Sequence, residues 1–418
     1  MKEKLKNFFQ RFSLKTLFSE EDEDYWEDFD TQDDYVSGQD DREKTGRAVF
    51  NPMIVWIIVI SLAAFAFIFY QISSRRHLFT SYKVTASFES DDIAGTSYAR
   101  LGNDFAKYGA DGVILVNASD ETLWSNGYTM KTTVSDTCGE TILIYEQQGN
   151  QAAVFDRSGL LGEFETDLPI LKGSVAGNGV SALLLKNGQD TLIRLYAPEG
   201  TTLAEIKPTL EETGQPIALD LSKVATRLMV SMVKVGSGTV DSTVIFYDFS
   251  STSESAQKHV TGKMSYPDQL IPEVFFADDS TPVAVGNDHV IVFSGVRDPS
   301  EKANISVSGE IMSTLHDEDH IALVQPGDDT QSRYRLNVYN YRGRQTGSRL
   351  FNESYDKGAF DSGEILLWSA GHMMAFTPTG VLRFDSDFEG KIVLLAKTPG
   401  FRNYCVLSDS GITRIKAE

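Results

Sequence analysis

One local unit recurs along most of this chain: an apolar strand, a turn rich in Asp, Asn or Pro with Gly, and a second strand. It stands as VFDRSG at 154–159 before LLGEF at 160–164. It returns as LYAPEG at 195–200, VYNYRG at 338–343 and AFTPTG at 375–380. Weaker copies are LVNASD at 115–120, FYDFS at 246–250, VFSG at 292–295 and VLSDSG at 406–411. These eight hairpins lie about 42 residues apart on average, and a four-stranded propeller blade takes roughly 40–50. Glycine accepts the positive φ of such turns, and Asp or Asn closes them through the side chain.

Each unit also has two strands before its hairpin, at 169–177 and 180–185 in the third unit and at 217–221 and 227–233 in the fourth. No long amphipathic helical pattern interrupts residues 83–418. An all-β β-propeller is therefore expected, with eight blades favoured and seven as the alternative. A pair of β-sandwiches fits less well, because one period covers the whole domain. The last unit stops at 412–418 without its final strand, and an unmatched strand lies at 82–88. Pairing the two closes the ring and leaves no long open edge.

Between Ala48 and Ser74 there is no charged residue. About 20 apolar residues at 1.5 Å each span the ~30 Å hydrocarbon core of a bilayer, so residues 52–72 are expected to form a transmembrane helix. Trp56 and Tyr70 near its ends suit the headgroup level. Pro52 falls in the first turn, where its missing N–H costs least. A cleaved signal peptide fits poorly, because the run begins 50 residues in and no small-x-small site follows it. The flanking charges, Arg42, Lys44 and Arg47 against Arg75 and Arg76, are nearly balanced. The expected orientation is N-terminus in the cytoplasm, with a linker at 73–82 and the propeller at 83–418 outside the cell membrane.

Residues 1–51 form the expected cytoplasmic tail. In 1–18, Leu5, Phe8, Phe9 and Phe12 mark an apolar stripe among lysines and Arg11, a pattern suited to an anionic lipid surface. The acidic stretch 19–43 holds twelve acids between Glu20 and Asp41 with no Lys or Arg between them, so disorder is expected there. Tyr25, Trp26, Phe29 and Tyr35 are interleaved with those acids, as in segments that fold on a basic partner. The whole chain carries a net charge of −21, and residues 77–418 carry −17. Such a domain repels phosphate backbones, which excludes nucleic acid as the expected partner. Cys138 and Cys405 are the only cysteines, and they read as free buried thiols.

The organisation resembles a family of single-pass proteins from Gram-positive, clostridial-type bacteria, a domain of unknown function with a WD40/quinoprotein-like β-propeller ectodomain. The likeness is carried by TLWSNGY at 122–128, VFDRSG at 154–159, DLPI at 167–170, ALDLS at 218–222, RLMVS at 227–231 and VIFYDF at 244–249. It implies a surface-exposed propeller held by one helix, and no activity.

No constellation of residues points to catalysis, a cofactor or a metal. His316-Asp-Glu-Asp-His320 has the look of a histidine pair, but the zinc-protease motif needs Glu after the first His and a helix beneath both. Here Asp317 follows, in an expected turn. Asp278-Asp279 and Asp328-Asp329 lack calcium-loop spacing. There is no Gly-x-Ser-x-Gly and no phosphate loop. Trp124 and Trp368, the only domain tryptophans, read as blade residues rather than the stacking platform of a quinone cofactor. The expected function is a non-enzymatic scaffold that binds a protein or cell-wall partner on a propeller face. The alternatives are an envelope-glycan hydrolase or lyase using paired carboxylates, and a transmembrane signalling subunit.

Overall fold

The computed structural model describes residues 56–57, 59–65, 77–90, 95–208, 210–236, 238–250, 259–295, 298–327 and 331–418. The amphipathic and acidic tail segments and most of the expected span lie outside the described residues. Residues 56–57 and 59–65, within that span, are helical. Among the described residues, no helix is long and apolar enough to cross a membrane.

From residue 82 onward the described residues form eight four-stranded antiparallel sheets. Blades 1 to 7 occupy 97–127, 133–165, 170–206, 215–266, 273–306, 313–351 and 357–387, each a meander in chain order. Blade 8 combines three C-terminal strands, Ile392–Lys397, Asn403–Ser408 and Gly411–Ala417, with Tyr82–Glu89 from the other end of the domain. That last pairing runs from Tyr82↔Ala417 to Glu89↔Gly411, with one irregularity between Val84 and Ala86. The eight blades and the closing strand expected from the repeat are both present.

One detail of the repeat differs. Seven of the hairpins join the third and fourth strands of a blade, whereas the eighth, at 406–411, joins the second and third strands of blade 8. The third-to-fourth connection of that blade is not covalent, being formed by the two ends of the domain. Turns of both kinds draw on the same set of Gly, Asp, Asn, Ser and Pro, so spacing does not separate one kind from the other.

The packing explains why so many strands are apolar on both faces. In blade 2, Ile142 and Ile144 pack toward blade 1, while Leu143 and Tyr145 pack toward blade 3. Alternation along a strand thus feeds two cores, one on each side of the sheet. Each of the eight junctions between neighbouring blades holds its own apolar cluster. Where an outer strand meets the next blade's turn, glycine makes room. A Cβ built on Gly162 would lie 2.1 Å from the Pro198 carbonyl oxygen, and one on Gly347 would lie 2.3 Å from the Thr379 carbonyl carbon.

The segment read as a linker contains a structural residue. Phe79 is buried in the cluster between blades 7 and 8 and bridges Phe384. Its N–H donates to the Arg383 carbonyl at 2.9 Å, and its own carbonyl accepts the Asp385 N–H at 3.0 Å.

Candidate functional site at the channel mouth

The first strands of neighbouring blades lie against one another and line the centre of the ring. There, the first strands of blades 2 to 6 enclose a cavity of ≈ 330 Å³ whose lining includes Asp136, Lys172, Asp220, Glu273 and His316. Titratable groups from five blades converge here because each stands on a first strand.

The acids clasp adjacent blades. Asp136 Oδ2 accepts the Val175 N–H of blade 3 at 2.7 Å. Asp220 Oδ2 of blade 4 accepts the Phe276 N–H of blade 5 at 2.7 Å, and its Oδ1 accepts the Ser174 hydroxyl at 2.8 Å. Ser174 Oγ in turn accepts the Leu221 N–H at 3.1 Å. The same arrangement recurs between blades 7 and 8, where Asp361 Oδ2 accepts the Lys397 N–H at 2.8 Å and also pairs with Arg100 of blade 1. First strands at the axis have a neighbouring strand beside them but no ladder to it, and a short acid or serine supplies the missing acceptor.

Burial pushes the Asp136 carboxyl up to about 6, against the pull of the Val175 N–H. Asp220 rises to about 7, first through burial and then through the charge of Asp136. Both keep some surface on the cavity, so water softens the desolvation that crowding by protein imposes. Glu273 is also raised by burial, while its contact with Thr314 opposes this. Burial lowers His316 to about 4; its ring stacks on Phe275 with centroids 3.7 Å apart. Near neutral pH the two aspartates act as one coupled pair. Lys223 reaches over the mouth to pair with Glu318 of blade 6.

The residues singled out in the sequence are dispersed. His316 and His320 flank the turn between the first two strands of blade 6. His316 packs on Phe275 of blade 5, whereas His320 stacks on Phe360 of blade 7, so the rings face away from each other. Among the described residues, no group of three metal-binding side chains forms. Asp278 closes its own turn on Ser280 and Thr281, and Asp279 accepts the Val224 N–H; Asp328 and Asp329 lie outside the described residues. Trp124 stacks on Phe155 and donates to the Arg157 carbonyl, and Trp368 is buried between blades 7 and 8. Cys405 is buried as expected, but Cys138 is only partly covered and borders the channel cavity. The clasp acids were missed. Their one signal is an Asp near the end of several first strands, as in TVSDTC, ALDL and GAFD.

Solved propellers share this architecture at low identity. Sqt1 of Saccharomyces cerevisiae is 11% identical with a TM-score of 0.53, over 81% of this chain and 98% of that one. BamB from Moraxella catarrhalis is 11% identical with a TM-score of 0.47, over 81% of this chain and 100% of that one. The Neurospora crassa Pan2 WD40 domain is 13% identical with a TM-score of 0.43, over 68% and 88%. At such identities the likeness to Sqt1 concerns the fold alone. No curated protein matches the sequence. A family described as "Family of unknown function (DUF5711)" matches residues 74–417.

Proposed function

The chain belongs to that family of unknown function, which passes on no activity, and we propose that it is a membrane-anchored, non-enzymatic propeller scaffold binding a protein or cell-envelope partner outside the membrane. The observation that carries this reading is the use of the channel-mouth acids. Asp136 and Asp220 converge as a catalytic pair would, but their oxygens hold the main chain and Ser174 of neighbouring blades. That makes the mouth a rigid frame, suited to presenting loops to a partner.

The anchor reading draws support from the helical residues in the charge-free run, where Trp56, Ile57, Val59, Ile60, Leu62 and Phe65 are exposed. Apolar side chains exposed in a row suit a lipid environment. The N-terminal tail is then cytoplasmic, and the basic amphipathic segment 1–18 lies on anionic lipid.

Cross-linking on intact cells tests the scaffold. The full chain is expected to capture one reproducible partner, and a variant lacking 77–418 is expected to capture none. Protease added outside intact cells should remove the propeller while sparing the tail. Full protection of the propeller would reverse the orientation, and no reproducible partner would remove the scaffold reading.

A second reading, an envelope-glycan hydrolase or lyase, is favoured by one observation: the raised Asp136 and Asp220 carboxyls near neutral pH. Turnover of purified envelope polysaccharide by the full chain, lost in a folded Asp220→Asn variant, would establish it over the scaffold.

A further inference from the structure

We propose that the edge of the disc beside Phe79 is a docking site for the phosphates of anionic lipid headgroups, formed by Arg383 and Arg402 with Phe401 and Leu78. This rests on the membrane-anchored reading above and adds the lipid class that the propeller itself contacts.

Arg383 follows Leu382 at the start of the last strand of blade 7 and is 7% exposed, and Arg402 ends the loop between the first two strands of blade 8. Both guanidinium groups sit 5.2 Å from the Phe401 ring, and Arg402 is also 4.7 Å from the Phe79 ring. Among the described residues, neither Nε has a hydrogen-bond acceptor and neither arginine forms an ion pair with a carboxylate. The acids of this region are occupied: Glu364 accepts the Tyr404 hydroxyl, and Asp361 holds Arg100 and the Lys397 N–H. Lys397 adds a third cation nearby, its Nζ bonded to the carbonyls of Thr398, Gly400 and Asn403.

Two guanidinium groups on one ring, one of them buried and without an acceptor, form an anion site in a domain otherwise rich in acid. A guanidinium stacked on an aromatic face keeps its N–H edge free for phosphate oxygens. The surroundings select the source of the phosphate. Phe401 is 51% exposed and Leu78 39%, giving the cations an apolar fringe of the kind that settles at a bilayer interface. Chain length places that interface within reach. From residue 72, the end of the expected span, to Phe79 the chain extends at most about 25 Å.

The test uses the full chain in nanodiscs of phosphatidylcholine alone, in discs containing phosphatidylglycerol, and in detergent with and without inorganic phosphate. Hydrogen exchange of 398–403 is the readout, with the closing strand 411–417 as the control for folding. We expect several-fold slower exchange of 398–403 in phosphatidylglycerol discs than in phosphatidylcholine discs. An R383Q/R402Q variant should abolish the difference, and Phe401→Ser, on the exposed fringe, should reduce it even if the double variant unfolds. Equal exchange in both discs overturns the proposal. So does equal slowing by inorganic phosphate in detergent, which marks a site for free phosphate. A chain that never enters discs overturns the anchor reading instead. In that case, phosphatidylglycerol-dependent binding of the same chain to vesicles through Arg383 and Arg402 upholds the headgroup site, and its absence overturns it.

Discussion

A carboxyl group that must accept a main-chain N–H at the centre of a ring is drawn two ways: the donor favours its charge, and the crowding of five blades opposes it. At Asp136 and Asp220 crowding wins, and the folded chain holds protons that the unfolded chain has released. Because their folded pKa values lie above the unfolded value, stability falls as pH rises from about 4 through 6 to 7 and is level above. Asp136→Asn keeps an acceptor for Val175 and removes the charge. We expect the free energies of urea unfolding at pH 5 and pH 8 to differ less in this variant than in the parent, by on the order of 1 kcal/mol once screening by cavity water is allowed for. Parallel pH curves would refute the assignment. His316 acts in the opposite direction. Its depressed pKa of about 4 makes the unfolded chain the better proton acceptor between 4 and 6.5, so its share of stability is complete above 6.5 and is lost as pH falls toward 4. His316→Phe preserves a ring on Phe275 and should flatten the acid limb by on the order of 1 kcal/mol, measured by thermal unfolding at pH 4.5 and 7.

A blade is defined by what its strands meet on either side, and the sequence carries only part of that. The hairpins were legible because a turn needs particular residues at particular places, and apolar runs such as VSALLL at 180–185 were legible because both faces are buried. The closing strand at 82–89 could be read because a ring with one strand missing needs another to complete it. The clasps were not legible. The partner of Asp136 is the N–H of Val175, and a main-chain donor leaves no mark on residue identity. The eighth hairpin was misplaced by one strand for a related reason, since turns on both sides of the disc share one chemistry. The dispersal of His316 and His320 depends on alternation along blade 6, which sends its two sides to different neighbours. The contact of Gly162 with the turn of blade 3 offers a test at this scale. Gly162→Ala forces a Cβ against the Pro198 carbonyl and should cost about 1–3 kcal/mol. Gly109→Ala, with nothing within 4 Å of its built Cβ, should stay within about 0.5 kcal/mol of the parent. Equal effects would mean that the outer strand yields freely to the neighbouring turn.

A ring of eight blades has eight junctions, and its stability depends on the junction that opens most readily. The chain runs across all eight, passing from 82–89 of blade 8 to 97–101 of blade 1 as it does between the other neighbours, but blade 8 itself is completed by pairing residues more than 300 positions apart. The cluster joining blade 8 to blade 1 is also the sparsest. It holds Phe105, Val116, Ala396, Cys405, Leu407 and Ile412, fewer buried residues than any other junction. Beside it lies a cavity of ≈ 510 Å³ whose lining includes the polar side chains of Asn103, Asn117, Asn403 and Arg414. With less apolar area removed from water, that seam is held less tightly, and it lies against the blade whose sheet is closed by the two ends of the domain. Because no turn joins 82–89 to 411–417 and their separation bares two strand edges beside the sparsest cluster, global unfolding should begin there. Ser87 and Thr413 are direct partners across this pair, with their hydroxyl oxygens 3.4 Å apart, so a Ser87→Cys/Thr413→Cys variant can form a cross-strand disulfide. The oxidised variant is expected to be more stable than its reduced form by about 2–4 kcal/mol, seen as a midpoint several degrees higher that returns to the parent value with reductant. A disulfide that forms quantitatively and leaves the midpoint unchanged would place the weakest junction elsewhere in the ring.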